Sequence, residues 1–515
     1  MIDPYRPETL IDFKDPKNRA EMERALETVH AQLGKHYPLV IGGERRERED
    51  RIRSYNPSRI DETVGTVSKA QPQDVDDAIK AAAAAFRTWS RVPGDFRARV
   101  LLKAAAELRR QKFLFSALEV FEAGKTWPEA DGDVAEAIDF MEYYARQMMR
   151  LAAPVETINL PGEEDEAFYI PLGVGAIIPP WNFPLAILCG ITTGAIVAGN
   201  TVLLKPASPT PVVAAWFVRL LEESGLPAGV VNFVPGDGSR IGDYMVGHPL
   251  IRFVSFTGSR EVGLHINEFA AKHQKGQLWV KRVVAEMGGK DAIVVDETAD
   301  LDAAAEGIVS SAFGFQGQKC SACSRAIVVD SVYDDVAKKV QERTKQLTVG
   351  LAMDPSSAVG PVIDASAEQK ILGFVDLGKK QYKLLAGGEK AAEGGHFIQP
   401  TVFGDVDPNS ALGQEEIFGP VLSMIRAKDF DDALQIANGT EYGLTGSLYS
   451  TRRDRLERAR YEFHVGNLYF NRKCTGAVVG AHPFGGFNMS GTDSKTGSPD
   501  YLLLFMQMKA VAEKL

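Results

Sequence analysis

Two hydrophobic rhythms divide the chain. Up to about residue 151 apolar positions recur at helical spacing, as at Met22, Leu26, Val29 and Leu33, which predicts a helix over 15–35 packed on something larger. The same spacing predicts a helix over 74–90, whose Asp-rich first turn suits capping, another over 95–122, and a third from Gly132 to about Leu151. Then INLPGEEDEAFYIPLG alternates about a polar turn and predicts a hairpin reaching out of the body. From Val174 onward short apolar runs bounded by Gly and Pro alternate with helical stretches: VGAIIPP, NTVLLKPAS, GVVNFVPGDG and RFVSFTGS. A second series opens at KDAIVVD and continues through SRAIVVD, FIQPTVFGDV and GPVLSMIRA. Such alternation predicts α/β architecture on parallel sheets with right-handed crossovers, in two successive domains meeting near Glu286.

The length of 515 residues suffices for two or more domains that bury their own cores without disulfides or metals. A net charge of −10 without a basic stripe argues against nucleic acid as a partner. The longest apolar stretch, 173–204, is broken by Pro179, Pro180 and Pro184, so it reads as buried strand, loop and helix and no membrane is expected. Four cysteines and no secretory leader point to a reducing compartment, the cytoplasm.

Candidate chemistry centres on FQGQKCSACS, where Cys320 lies among Gly, Gln, Lys and Ser, and on VVAEMGGKD, where Glu286 sits between an apolar run and two glycines. A thiol and a carboxylate brought together by folding suit covalent catalysis followed by activation of water. Cys320 and Cys323 also form CxxC, as in half a zinc site or a redox pair; zinc would need two more ligands and only Cys189 and Cys474 remain, both isolated, so no metal is expected. Alone, Glu286 reads as a cap or ion-pair partner and Asn182 as a turn residue before Pro184. GDGSRIG at 236–242 has GxGxxxG spacing and reads as an ordinary strand-to-helix turn.

Taken in order, PWNFP (180–184), KPAS (205–208), FTGS (256–259), EMGGKD (286–291), GQKCSA (317–322), EEIFGP (415–420) and PFGGF (483–487) resemble the aldehyde dehydrogenase superfamily across most of the chain. The resemblance implies a Rossmann-like cofactor domain (1–153 and 173–285), an α/β catalytic domain (286–487) and a small β oligomerisation arm (154–172 and 488–515). It implies Cys320 as nucleophile, Glu286 as the base that activates water, and an oxyanion site made by the Asn182 amide and the Cys320 backbone N–H. A free thiol titrates near ~8.5, so the site must lower that value or remove the proton at attack; a helix start after Cys320 and a cationic nicotinamide would both help. The implied cofactor is NAD. Lys205 would bond its adenosine ribose, Gly258 and Ser259 would open a helix ending near Gly263 under the pyrophosphate, and Glu416 and Phe418 would meet the nicotinamide ribose. Many relatives have Glu where this chain has Ser208; without that carboxylate to repel a 2′-phosphate, NADP is expected to be tolerated.

The segment 463–497 and the extended N-terminus ending in KHYPLVIGGE are similar to the 1-pyrroline-5-carboxylate dehydrogenase branch, which oxidises L-glutamate γ-semialdehyde to L-glutamate in proline and arginine breakdown. This likeness places Ser321 and the amides of Gly476 and Ala477 on the substrate α-carboxylate, Phe183 and Phe484 along its aliphatic middle, and Glu136 at the site border, although Glu136 alone reads as a solvated helix face. It implies a homodimer or higher homo-oligomer joined through the arm, and suggests a proline dehydrogenase partner that passes the substrate on. Three alternatives stay open: an aldehyde dehydrogenase for another semialdehyde or aliphatic aldehyde, a CoA-acylating enzyme, against which Glu286 speaks, and a non-catalytic crystallin-like protein.

Overall fold

The computed structural model describes residues 3–158 and 160–515. Two seven-stranded sheets organise them. The first runs in the order Arg282–Glu286, Ile251–Thr257, Val174–Ile178, Thr201–Leu204, Val231–Phe233, Leu39–Ile41, Glu44–Arg46. Its first five strands are parallel, and the last two are added through antiparallel pairings. The chain moves outward from Val174–Ile178 to Val231–Phe233, then returns to the opposite side at Ile251–Thr257. Strand order therefore reverses between Val174–Ile178 and Ile251–Thr257, opening a crevice at their carboxyl ends. Helices cover both faces, which is why these strands read as continuous apolar runs without a polar side.

The second sheet runs Lys383–Ala386, Thr401–Gly404, Val421–Ala427, Arg325–Val329, Ala292–Val295, Thr445–Tyr449, Asn467–Phe470, parallel except at its first strand. Residues 287–291 carry the chain from the edge strand Arg282–Glu286 of one sheet into the middle of the other. Both chemistry-bearing motifs are thereby placed at the seam.

Several expected elements shift for identifiable reasons. The first helix is Pro16–His30, ending before the expected 35 because Lys35–Tyr37 pairs as a strand with Gly65–Val67. The second, Pro72–Trp89, starts at a capping box between Gln71 and Asp74. The run expected as one helix over 95–122 is two, Gly94–Arg110 and Lys112–Ala123. At the break the Lys112 ammonium is drawn to the Thr9 carbonyl at 2.7 Å and to Asp131 at 2.9 Å. The next helix begins at Trp127 and not at Gly132, since Pro128 in a first turn costs no hydrogen bond. It ends at Leu151. The expected hairpin is present, with Val155 bridged antiparallel to Ala167 and Thr157 donating to the Asp165 carbonyl at 2.9 Å, and a longer-range pairing adds to it: Glu163–Pro171 joins the C-terminal strand Met506–Lys514 over nine antiparallel positions. Residues 488–505, expected in the arm, instead cross the body, where Tyr501, Leu502 and Phe505 enter the large core beside Tyr144 and Ile196. Among the described residues no helix is long and apolar enough to cross a membrane.

Candidate active site

A cavity of about 780 Å³ fills the crevice at the strand-order reversal. Trp181 and Asn182, after the first of the two strands, and Gly258 and Ser259, after the second, form its mouth and wall. Lys205, Glu416 and Phe418 close it, with Cys320 at one end. Ser259 caps the helix Arg260–Ala271, which runs eight residues beyond the expected end at Gly263, so a full helix points its amino end at the cavity. Lys205 is buried, and its Nζ has only the Pro206 carbonyl at 3.5 Å, leaving an ammonium short of acceptors on the wall. Burial lowers its pKa. A crevice at a strand-order reversal, a helix amino terminus and an under-partnered ammonium suit a dinucleotide. Ser208 is exposed and lies outside the cavity lining, next to Ala207, which is part of it.

Cys320 is aimed by strain before it. The helix Leu301–Phe313 gives way to Phe315 and Gln316 at φ 47° and 57°, followed by Gly317 at 67°. Three consecutive left-handed residues turn the chain sharply, and two of them carry side chains that disfavour it. Gln316 anchors the turn by donating to the carbonyls of Gly124 and Pro361 at 3.1 and 2.7 Å, while Gln318 Oε1 accepts from Ile363 N at 2.9 Å. No helix follows Cys320, contrary to expectation: a turn leads into the strand Arg325–Val329. Cys323 lies in that turn and is buried, with its thiol toward the Arg325 carbonyl at 3.4 Å. Among the described residues no group of three His, Cys, Asp or Glu side chains is placed to hold a metal.

The thiol is also not lowered by its own surroundings. Burial, followed by the carboxylates of Asp291, Glu416 and Glu286, pushes Cys320 well above the ordinary thiol range, so it rests protonated. The two glycines after Met287 explain the crowding. A Cβ on Gly288 would collide with the Glu416 carboxylate, and one on Gly289 with the Cys320 carbonyl. Gly289 N donates to Glu416 Oε1 at 3.0 Å, and buried Lys290 holds the Glu415 carbonyl at 2.7 Å.

Asn182 is buried, and its Nδ2 donates one hydrogen to the Gln318 carbonyl at 3.0 Å, leaving the second without an acceptor among the described residues, in the cavity lining that also holds Cys320. Glu286 ends its strand outside the cavity lining, packed against Gly485 and Gly491. Ser494 donates to its Oε1, and its Oε2 is buried without a hydrogen-bond partner among the described residues. Burial is the largest influence on the Glu286 carboxyl and pushes it up to about 8.

The remaining candidates also lie outside that cavity. Ser321 is buried, its carbonyl taking weak contacts from Thr445 and Cys474. Gly476, at φ 78°, and Ala477 have their backbone N–H groups without an acceptor among the described residues, because Arg472 pulls the carbonyls of Thr475 and Gly476 the other way at 2.8 and 3.1 Å. Paired amides turned outward in this way are of the kind that suits an anion. Phe183 lies edge-on to Phe315 at 6.4 Å, and Phe484 is bridged to Thr496. Glu136 is not on a solvated face: burial first, then Asp133, pushes its carboxyl up to about 8.

Sequence reading misses the charged groups beneath this wall. Lys319, adjacent to the nucleophile, pairs with Glu129 at 2.7 Å. Lys125 is fully buried, with Asp133 at 2.6 Å and the rings of Phe183 and Phe315 at 4.3 and 4.7 Å from its Nζ. The position of Lys319 inside GQKCSA was a usable signal; nothing marked Lys125.

The model of the aldehyde dehydrogenase family matches residues 44–511. The chain belongs to the aldehyde dehydrogenase family. It is 60% identical over 513 residues, all of both chains, to 1-pyrroline-5-carboxylate dehydrogenase of Geobacillus sp. (strain WCH70). A Thermus 1-pyrroline-5-carboxylate dehydrogenase solved with bound NAD is 53% identical, covers all of both chains and superposes with a TM-score of 0.99. A third similar structure, proline utilization A of Bdellovibrio bacteriovorus, is 46% identical with a TM-score of 0.98; the match covers 99% of this chain and 53% of that one.

Proposed function

We propose that this aldehyde dehydrogenase oxidises L-glutamate γ-semialdehyde, the open form of 1-pyrroline-5-carboxylate, to L-glutamate with NAD in proline breakdown. One arrangement carries the reading: Cys320 stands at the end of the dinucleotide-sized cavity, Asn182 lines the same cavity with a spare N–H, and the chain also presents outward amides at Gly476 and Ala477. Full-length identity of 60% to a relative bearing that activity's name supports the substrate. Lys205, Gly258, Ser259, Glu416 and Phe418 hold the cofactor, which when bound supplies the hydride acceptor.

Cys320 gives its proton to water in the cavity, its Sγ bonds to the aldehyde carbon, and the carbonyl π pair moves onto oxygen, an oxyanion held by Asn182 Nδ2 and the Cys320 N–H. Each such donor is worth about 3 kcal/mol in the transition state. Loss of hydride from that carbon leaves a thioester on Cys320. The unpartnered Glu286 Oε2 then takes a proton from water, the water oxygen bonds to the acyl carbon, and the sulfur departs. Ser321, Gly476 and Ala477 seat the α-carboxylate, Phe183 and Phe484 line the methylenes, and Glu136 borders them.

The boundary between cofactor and catalytic domains falls in 287–291, where the chain changes sheet. NADP is tolerated because Ser208 puts no carboxylate near a 2′-phosphate. Four free cysteines fit the cytoplasm. The exposed two-stranded arm fits a homo-oligomer, and the match to about half of a chain named for proline utilization fits a proline-oxidising partner. Purified protein mixed with NAD and 1-pyrroline-5-carboxylate should produce reduced nicotinamide and glutamate. Its kcat/KM should exceed that for butyraldehyde by about a hundredfold, the value of two charge-assisted hydrogen bonds. Equal values would overturn the substrate, and an undiminished rate in Cys320→Ala the mechanism.

A further inference from the structure

The N-terminal segment lies outside the matched family region, which begins at residue 44, yet it is tied down tightly. Glu8 N donates to Asp139 and Ile11 N to Asp131, each at 2.8 Å, and Arg109 reaches the Glu8 carboxylate at 2.8 Å. Arg146 takes the Asp3 carbonyl at 3.0 Å, and Phe13 meets Trp127 edge-on at 5.4 Å. All these partners but Arg109 sit on the helix Trp127–Leu151, whose other residues Glu129, Asp133 and Glu136 approach the site. A strap used only to cover that helix would stop there.

It does not stop there. Tyr5 reaches past the helix, its hydroxyl donating to the Val479 carbonyl at 3.2 Å with Asp139 alongside, and its ring edge-on to Tyr143 at 5.2 Å. Val479 and Gly480 close the loop that begins at Gly476, and both glycines are left-handed, at φ 78° and 77°. A Cβ at Gly480 would meet Tyr143 at 2.8 Å and Tyr5 at 3.1 Å, so the two rings pack directly on the loop's far hinge. Arg472 fixes the near end through the Thr475 and Gly476 carbonyls. A loop hinged on glycine at both ends has two ways to lose its amide orientation, and Tyr5 blocks one of them.

We propose that Tyr5 is a positioning residue for substrate specificity: by holding Val479 and Gly480 it keeps the Gly476 and Ala477 amides aimed at the substrate carboxylate. The inference rests on the carboxylate-seat reading given above. An anchor that acts only through this seat affects substrates that carry the carboxylate and spares those that lack it.

The test compares Tyr5→Phe, which keeps the ring, and Tyr5→Ala, which removes it, with the unaltered full-length chain on glutamate semialdehyde and butyraldehyde. KM for the semialdehyde should rise about fivefold in Tyr5→Phe and more in Tyr5→Ala, with kcat for either aldehyde and KM for NAD and butyraldehyde changed less than about twofold. A general loss of packing would instead move all of these together, and that outcome overturns the proposal. So does an unchanged semialdehyde KM in Tyr5→Ala while the unaltered chain prefers the semialdehyde. If the unaltered chain shows no preference, the carboxylate seat itself falls, and the role of Tyr5 with it.

Discussion

Glu286 has two requirements that oppose each other: burial, which keeps bulk water away from a thioester, and ionisation, which a base needs. Its carboxyl, pushed up from 4.5 to about 8, is mostly protonated at neutral pH. Deacylation should therefore accelerate as pH rises, with an inflection near 8 wherever hydrolysis limits turnover. Glu286→Gln should lower kcat by about 10²- to 10⁴-fold, abolish that alkaline limb and leave a burst of reduced nicotinamide as the acyl-enzyme accumulates. A retained limb would assign the inflection to another group. The stability sign follows from the same shift. A carboxyl raised above its unfolded value contributes stability below about 4.5 that is lost as pH rises through about 8, so the glutamine variant should resist heat better than its parent at alkaline pH. Cys320 shows the complementary economy, since burial first, and then the acidic groups around it, keep its thiol protonated until a cation arrives beside it.

Beside the helix Trp127–Leu151 lies buried Lys125, shared between Asp133 and, at 3.5 Å, Glu119, and its pairing with Asp133 sets the register of the Asn182 wall. Asp133 Oδ2 binds Lys125, and Oδ1 accepts the Ala186 N–H at 2.7 Å, at the start of the helix after Asn182 and Phe183. Lys125→Met leaves Asp133 charged and unpaired in the core and should cost about 3 to 5 kcal/mol, read as a lowered unfolding midpoint. Adding Asp133→Asn should restore most of that stability but not kcat, because the wall loses its anchor; full recovery of both would make the pair merely structural. Such groups mark what was illegible in the sequence. Strands of the two sheets were readable because burial on both faces writes an uninterrupted apolar run, and the site motifs because they sit at strand ends. The break at Gln111 and the missing helix after Cys320 were not, because each is imposed by a distant partner: Asp131 and Thr9 on Lys112, or Gly124 and Pro361 on Gln316. Glu136 reads as a solvated charge and Lys125 goes unmarked for the same reason, since a lone charge carries no local sign of what will cover it.

At the scale of the whole molecule the arm is a thin element that stands apart from the two sheets. Glu163–Pro171 and Met506–Lys514 pair with each other along their full length, from Met506 with Pro171 to Lys514 with Glu163. A ribbon of two strands in water is marginal alone, and apart from the bridge of Val155 to Ala167 its outer edges carry backbone groups without partners among the described residues. Phe168 is 36% exposed, Met508 52%, Val511 39% and the terminal Leu515 81%, more apolar surface than so thin an element tolerates without cover. A second copy of the chain is the cover that fits, because like ribbons can bury these faces against a neighbour's body. Met508→Asp with Val511→Asp should halve the sedimenting mass or reduce it further while leaving the thiol of Cys320 as reactive toward iodoacetamide as before, since neither strand touches the cavity. A parent chain that already sediments as a monomer would remove the oligomer from the account and leave the ribbon's exposed side chains as the feature to be explained.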